Sequence, residues 1–426
     1  MSTTICLATN YLLMTEPTRR MWEDMGARLN EVGCQLVLLS TTVPEVARSY
    51  HLIPIPYLFR DYAQQFPAAV TLGGCVTPRD FDLIENDRSR TQGAGSAHEG
   101  LAGLIACRQV ARNLINTLQP GCVLAWDPSS PLATVLREPC LEREIPFTGI
   151  ERGLLPDTLM MESRGLHAWS DLRTHWLAQD LPASARDLSA FERIRDYYLK
   201  ARPQKYEHPD FEGGGAALRT KLELGSKKVV VVLGQFDSCG LQPRNSPGRR
   251  YHSPEFVSTQ DALMGVWAHV ENDPSVAVVF KPHPIDQDPY AVAKVEGVQV
   301  VRDVNPHALI DLADVVVAQF TTLQFEAALY DKPVVLLGHS AWWGRNAAYE
   351  VDRREQLPAV LRAALRREGW EEKRANARAF LTWIMDQFLI GCTPDVPARR
   401  NLRDLAQFIA RIAADGRHLP PVADRL

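Results

Sequence analysis

Four short segments of the sequence place polar side chains directly after runs of apolar residues. They are residues 151–158, 234–240, 280–284 and 319–326. The apolar runs are typical of buried strands, and ligands of open α/β sheets bind beyond the carboxyl ends of the strands. We therefore expect these four segments to supply the functional side chains.

Two of the segments carry a carboxylate that could act as a nucleophile or a base. Glu151 follows the apolar run 146–150, and Asp237 follows the run 228–233. Partial burial in a cleft can tune the pKa of such a carboxylate for acid–base chemistry. Glu151 beside Arg152 also fits an ion pair that closes a turn, and Asp237 also fits a helix cap. The residue types alone leave both interpretations open.

The other two segments suit an anionic group such as a phosphate. In residues 281–284, prolines on both sides of His283 fix the backbone, and Lys281 adds a positive charge. A lone histidine is usually structural, but this setting favours a binding function. Thr321 or Thr322 stands where a strand meets a helix, a position that favours both helix capping and phosphate binding.

Two series of alternating strands and helices position these segments. The first predicts strands at 4–8, 35–40, 122–126 and 146–150 and helices at about 18–31, 97–118 and 131–143; the second predicts strands at 228–233, 276–280, 298–301, 315–320 and 333–337 and helices at 261–272, 306–312 and 323–330. Such alternation is typical of βαβ units and parallel sheets. We predict an α/β fold with two doubly wound, Rossmann-like domains facing a cleft, and a helical tail.

The alternation of strands and helices is interrupted between residues 162 and 225, where three glycines at 213–215 indicate a connection followed by the start of a second domain. We predict an N-terminal domain with its connecting segment at 1–215, a second domain at 216–395, and a C-terminal segment at 396–426. The last helix, about 402–412, has an apolar stripe and is expected to pack back across the domains. Arginines beside that stripe also fit a helix on a membrane surface, which keeps peripheral membrane association as an alternative.

Composition excludes several classes of protein. The 426 residues include 47 Lys+Arg and 51 Asp+Glu, a net charge of −4, which argues against a dedicated nucleic-acid binder. The eight cysteines lack metal-ligand spacing, and several stand inside apolar runs, where they fit small core residues. No signal peptide and no run of 18 apolar residues is evident, so we expect a soluble, cytoplasmic protein. Dinucleotide, Walker and zinc-protease motifs are also missing.

In their order, the four segments resemble bacterial retaining β-Kdo (3-deoxy-D-manno-octulosonic acid) glycosyltransferases of capsule and lipopolysaccharide biosynthesis. The matching motifs are Glu151-Arg-Gly153, Gly234-Gln-Phe-Asp-Ser238, Lys281-Pro-His-Pro284, Thr321-Thr-Leu-Gln-Phe-Glu-Ala327, Lys332-Pro-Val-Val335 and Trp343-Gly344. The match spans roughly residues 122–344. The chain departs from the family pattern at Arg152, where an acidic residue is common, and at residues 339–342.

The resemblance implies a GT-B architecture, with an N-terminal acceptor domain and a C-terminal domain that binds CMP-β-Kdo. CMP is a monophosphate leaving group, so no obligatory metal and no other cofactor is implied. The cytidine would lie against residues 306–309 and the helix that carries Glu326. The donor-binding residues implied in this way are Gln235, Ser238, Lys281, His283, Pro284, Thr321, Thr322 and Glu326.

The resemblance also implies roles in catalysis. Asp237 would be the nucleophile of a double displacement, and Glu151 would deprotonate the acceptor hydroxyl. Arg152, Lys205 and Arg244 are candidate cations for the Kdo carboxylate. The acceptor would be a saccharide of a capsule or O-antigen, commonly lipid-linked, which would bring the enzyme to the inner membrane.

Three alternatives to this function stay open on the sequence. The first is a GT-B transferase with another donor, such as CMP-sialic acid or a UDP-sugar. The second is a non-catalytic module that binds a nucleotide sugar, and the third is an epimerase of the same two-domain fold.

Overall fold

The structure is a computed structural model that describes residues 4–10, 16–42, 49–67, 77–89, 96–163, 165, 167–176, 181, 183–206, 208–209, 211–235, 252–284 and 297–415. Three residues singled out by the sequence, Asp237, Ser238 and Arg244, lie outside the described residues. The roles expected of them therefore stay predictions.

Strands and helices alternate along most of the described chain. The strands are β1 Thr4–Thr9, β2 Cys34–Ser40, β3 His51–Pro54, β4 Cys122–Trp126, β5 Phe147–Arg152, β6 Thr158–Glu162, β7 Lys228–Leu233, β8 Val276–Lys281, β9 Val298–Val300, β10 Val315–Ala318, β11 Val334–Leu336, β12 Tyr349–Glu350, β13 Ile390–Gly391 and β14 Arg400–Asn401. The helices are α1 Glu16–Glu31, α2 Phe59–Gln65, α3 Pro78–Ser89, α4 Ala97–Leu118, α5 Pro131–Glu142, α6 Asp171–Trp176, α7 Leu188–Ala201, α8 Gly214–Lys221, α9 Thr259–Val270, α10 Pro306–Leu312, α11 Leu323–Leu329, α12 Leu357–Leu365, α13 Trp370–Gln387 and α14 Leu402–Asp415.

The contacts within the chain divide it into two compact units. The first unit comprises residues 1–152, 159–171 and 387–426, and the second comprises residues 153–158 and 172–386. Each unit is built around its own sheet.

The sheet of the first unit has the strand order β14-β13-β6-β5-β4-β1-β2-β3 among the described residues. The pairs from β3 to β5 are parallel, and β5–β6 is antiparallel. Alternate side chains of β1 point to opposite faces, so Cys6 and Ala8 face α1 and α14 while Leu7 faces α2 to α5. The expectation that several cysteines are core residues is confirmed: among the described residues Cys6, Cys34, Cys107, Cys122 and Cys140 are buried free thiols, whereas Cys392 is half-buried.

Helix α14 covers the first sheet with the apolar stripe predicted from its sequence. Leu405, Phe408 and Ile409 are buried in the core that β1, β4 and α1 share. This stripe is therefore occupied by packing within the first unit. No helix of the described residues is long and apolar enough to span a membrane.

The sheet of the second unit has the strand order β12-β11-β10-β7-β8-β9, and its strand pairs are parallel. Numbered from β7 in chain order, this arrangement reads 6-5-4-1-2-3, which is the Rossmann order. The sequence prediction of an α/β protein with two doubly wound, Rossmann-like sheets is thus confirmed. The order reverses between β7 and β10, so a ligand crevice is expected beyond the carboxyl ends of these two strands.

Candidate functional site

A pocket lies where the strand order of the second unit reverses. Its volume is about 530 Å³, part of which is open to solvent. The lining residues are Gln204, Lys205, Tyr206, His208, Gly234, Lys281, Pro282, His283, Pro284, Pro306, Thr321, Thr322, Leu323 and Glu326. The structure thus brings together in one pocket Lys205, all of residues 281–284, and Thr321, Thr322, Leu323 and Glu326.

Gly234 joins the ends of β7 and β8. Its N–H donates to the carbonyl of Lys281 at 2.7 Å. A Cβ at this position would lie 2.9 Å from the backbone nitrogen of His283 and 3.1 Å from Cα of Pro282. Glycine is therefore required for the 281–284 turn to lie this close to β7.

Lys281 provides a buried positive charge at the end of β8. The residue is 3% exposed, and its Nζ donates to the carbonyl of Arg302 at 2.8 Å. Burial lowers the pKa of Lys281 to about 8, while the nearby charge of Asp303 acts in the opposite direction. At pH 7 the ammonium form still predominates, and a bound anion would meet a poorly hydrated charge, which strengthens the attraction.

His283 lies beside this charge as a neutral ring. Its imidazole meets the ring of Tyr206 edge-on, with centroids 5.5 Å apart. Burial, and then the charges of Lys281 and His208, lower the pKa of His283 to about 4. A neutral imidazole has one N–H donor and one acceptor nitrogen, so His283 can donate a hydrogen bond to a phosphate oxygen at pH 7.

A second ammonium group lies at the start of α11. Nζ of Lys205 donates to the hydroxyl oxygen of Thr322 at 3.0 Å and also to the carbonyl of Gly153. Thr322 occupies the N-cap position predicted from the sequence, but its backbone is helical and its side chain makes no capping hydrogen bond. The expected cap is replaced by the contact with Lys205.

Glu326 contributes a buried carboxyl group to the pocket. The residue is 2% exposed. Burial raises the pKa of Glu326 to about 8, and the charge of Lys205 opposes this shift. The protonated acid therefore predominates at pH 7. With two ammonium groups and this neutral acid, the pocket favours an anionic ligand.

Gln235 and residues 307–309 were also expected at the ligand. Gln235 follows the pocket-lining Gly234, and its N–H donates to Oγ1 of Thr259 at 3.0 Å. Its side chain is buried, and Oε1 has no hydrogen-bond partner among the described residues. Of the segment 306–309, Pro306 lines the pocket, whereas the three residues after it are buried behind the lining.

Glu151 and Arg152 belong to the first unit. They are the last two residues of β5, and Glu151 pairs with Met160 of β6. The N–H of Arg152 donates to Oε1 of Glu151 at 2.8 Å, and its guanidinium contacts Oγ1 of Thr18 at 3.5 Å. At this strand end, Glu151 thus accepts a hydrogen bond from the backbone of Arg152 through its side chain. The catalytic role of Glu151 stays a prediction.

Three pocket residues, Gln204, Tyr206 and His208, are not predicted from the sequence. They lie between α7 and α8, in the stretch where hydrophobic periodicity is lost. The sequence offers one indication of these residues: an aromatic residue and a histidine stand close to Lys205 in a stretch that has neither a helical nor a strand period. Among the described residues, no group of three or more His, Cys, Asp or Glu side chains could hold a metal ion.

Comparison with known proteins gives similarity to solved structures. No protein-family model and no curated protein matches the chain. It is similar to KpsC, a β-Kdo 2,4 transferase of Thermosulfurimonas dismutans, with 17% identity, a TM-score of 0.42, and 61% of this chain and 79% of that chain covered. A glycosyltransferase from Rickettsia africae has 11% identity, a TM-score of 0.43, and coverage of 97% and 99%.

A third similar structure is MnaA of S. aureus with UDP, at 11% identity and a TM-score of 0.41, covering 88% of this chain and 91% of that chain. At these identities and TM-scores, the likenesses do not assign an activity to this chain.

Proposed function

We propose that this chain is a glycosyltransferase that binds the phosphate of a nucleotide-sugar donor in the pocket of the second unit. The observation that carries the proposal is the placement of Lys281 and His283 beside Gly234 at the point where the strand order reverses. A cation, a neutral N–H donor and a closely approaching backbone suit a phosphate group. Thr321 lines the same pocket, and in this proposal its hydroxyl adds a further donor.

The donor we propose is CMP-β-Kdo. This choice is supported by the order of the sequence motifs, which resembles β-Kdo transferases. It is also supported by charge, because CMP-Kdo carries a phosphate and a sugar carboxylate, and the pocket holds two separately anchored lysines. In this proposal Lys281 binds the phosphate and Lys205 binds the carboxylate. Transfer to a saccharide acceptor would serve assembly of a bacterial surface polysaccharide.

The proposed reaction retains configuration through two displacements. The carboxylate of Asp237 forms a bond to the anomeric carbon while the bond from that carbon to the phosphate oxygen breaks, and CMP leaves with the bonding electrons. Lys281 and His283 stabilise the charge that develops on the leaving phosphate. In the second step Glu151 takes the proton of the acceptor hydroxyl, whose oxygen displaces Asp237 from the sugar.

Nucleotide binding is the first test. Isothermal titration of the purified chain with CMP, UMP and UDP should show that CMP binds most tightly, and Lys281→Met should weaken CMP binding by roughly tenfold or more. Preference for UDP would replace the proposed donor by a UDP-sugar. An absence of binding to all three nucleotides would overturn the proposal as a whole.

Turnover is the second test. With CMP-Kdo and a saccharide acceptor, the wild type should release CMP and form a β-linked product, with and without EDTA. With donor alone, intact mass spectrometry should find a Kdo adduct that maps to Asp237, and Asp237→Asn should abolish both adduct and transfer. Full activity of Asp237→Asn, or an adduct on another residue, would refute the nucleophile. Donor binding without CMP release would indicate a binding module, and an altered free nucleotide sugar would indicate an epimerase.

A further inference from the structure

The connecting segment, here residues 203–206 and 208–209, supplies four of the pocket residues without forming a helix or a strand. It lies between the end of α7 and the start of α8. Gln204 and His208 hydrogen-bond to each other through side chain and backbone, at 3.0 and 3.3 Å, which closes the segment on itself. Because no helix or sheet ladder fixes this backbone, its place at the pocket depends on tertiary hydrogen bonds.

The first turn of α10 supplies two of these tertiary bonds. The N–H of Asn305 donates to the carbonyl of Pro209 at 3.2 Å, while its side chain caps α10. At the other end of the connecting segment, Nε2 of His307 lies 3.2 Å from the carbonyl of Pro203. The segment is thus attached to α10 at both ends.

The contacts of His307 select one form of its ring. A carbonyl oxygen can only accept, so Nε2 carries the proton that is donated to Pro203. Nδ1 is then the acceptor for the hydroxyl of Tyr330, which is 2.9 Å away. The residue is 1% exposed, and the same Nε2 lies 3.6 Å from Oε2 of Glu326.

His307 therefore touches two parts of the pocket wall without lining the pocket itself. We propose that His307 is a positioning residue: it holds the connecting segment against α10 and beside Glu326, so that Lys205, Tyr206 and His208 are in place for the nucleotide sugar. This inference rests on the proposed function for the identity of the ligand. The placement of the connecting segment can be measured without any ligand.

Hydrogen exchange tests whether His307 holds the connecting segment in place, and CMP titration tests whether this placement matters for nucleotide binding. In His307→Leu the amides of the connecting segment should exchange at least about tenfold faster, and CMP should bind about tenfold more weakly, since a displaced wall costs binding. His307→Gln, whose amide nitrogen can replace Nε2 as donor to Pro203, should stay within about threefold of the wild type in both measurements. His269→Leu, on the exposed side of α9, is the matched control.

Unchanged exchange of the connecting segment in His307→Leu would overturn the inference, whatever happens to CMP. Faster exchange in His307→Leu with unaltered CMP affinity would also overturn the inference. The same holds if His307→Gln is as impaired as His307→Leu in both measurements. If His307→Leu does not fold, Gln is compared with His307→Asn, whose amide is too short to reach Pro203; equal behaviour of the two would overturn the inference. If the wild type does not bind CMP, the proposed donor fails, and exchange still decides whether His307 positions the segment.

Discussion

The ammonium group of Lys205 lies 3.0 Å from the hydroxyl oxygen of Thr322 and donates a hydrogen bond to it. Lys205 belongs to the connecting segment and Thr322 to the start of α11, and both line the pocket. The hydroxyl holds a flexible lysine side chain in one place. A ligand that binds this lysine therefore meets a preorganised charge, which reduces the entropy lost on binding.

This contact predicts that the two side chains act as a pair. Lys205→Met should raise the KM for CMP-Kdo about tenfold or more, because the sugar carboxylate loses its cation, and Thr322→Val should raise it by a few-fold. The double variant should be no worse than Lys205→Met alone, since the hydroxyl acts through the lysine. Thr382→Val, which loses a hydroxyl bonded to the carbonyl of Arg378 in α13, is the control. Strictly additive effects would contradict the pairing.

The buried charge of Lys281 predicts the pH dependence of nucleotide binding. Phosphate binds the ammonium form, and the pKa of Lys281 is about 8, so CMP affinity should fall by up to about tenfold per pH unit above pH 8. Ionisation of Glu326, whose pKa burial raises to about 8, adds repulsion over the same range. Lys281→Met should bind weakly and show a flatter pH profile in titration calorimetry between pH 6.5 and 9.5.

Lys332→Met is the matched control for this experiment. Nζ of Lys332 donates to the carbonyl of Asp311 at 2.8 Å, as Nζ of Lys281 does to that of Arg302, but Lys332 does not line the pocket. Its variant should keep the affinity and the pH profile of the wild type. A CMP affinity that is constant across pH 8 in the wild type would argue against the assigned role of Lys281.

His283 predicts a loss of stability in acid. Its pKa in the folded chain is about 4, below the ordinary value near 6.5, so the unfolded chain takes up a proton first as the pH falls. From about pH 6.5 to 4, this group lowers the free energy of unfolding by up to about 1.4 kcal/mol per pH unit, and below pH 4 the loss stops growing.

The measurement for this prediction is urea unfolding at several pH values. His283→Gln has no ionisable group there, so its free energy of unfolding should depend less on pH than that of the wild type over the same range. His269→Gln, at the exposed position of α9, should follow the wild type. Parallel pH curves for wild type and His283→Gln would show that burial of this ring does not shift its pKa.

Gly234 predicts a steric link between the two strand ends. An added methyl group in Gly234→Ala would press on the backbone of Pro282 and His283, at 3.1 and 2.9 Å, and neither can move as a flexible side chain would. We expect about 1–3 kcal/mol of destabilisation and weaker CMP binding. In the control Gly265→Ala, the three atoms nearest to the new methyl all belong to the side chains of Phe256 and Leu357. Equal CMP affinity of Gly234→Ala and wild type would contradict the link.

Strong periodicity made much of the fold predictable. The predicted bounds of β7, α4 and α10 match the observed ones, because an uninterrupted apolar strand and helices with clear N-terminal capping residues leave few alternatives. Helix α7 was missed although Phe191, Ile194 and Tyr198 are buried along one side of it. Its charged residues and the irregular chain around it obscured the pattern.

The candidate site was predictable where a strand led into it. Lys281 is the last residue of a strand, His283 and Thr321 come shortly after strands, and the meeting of strand ends in a parallel sheet brings such residues together. Tyr206 and His208 cannot be predicted in this way, because their segment is positioned by hydrogen bonds to α10, and α10 lies about 100 residues later in the sequence. Long-range attachments of this kind leave no local pattern.

The division of the chain into units bears on how it folds during synthesis. The first unit includes residues 387–415, which supply β13, β14 and α14. The second unit consists of the continuous stretch 172–386 and the short segment 153–158. As the chain leaves the ribosome, the second unit can reach its native contacts while the core beneath α14 is still incomplete. Until α14 has been synthesised, the apolar face of the first sheet that α14 covers stays exposed to solvent. We expect this interval to be the step at which the nascent chain most needs a chaperone.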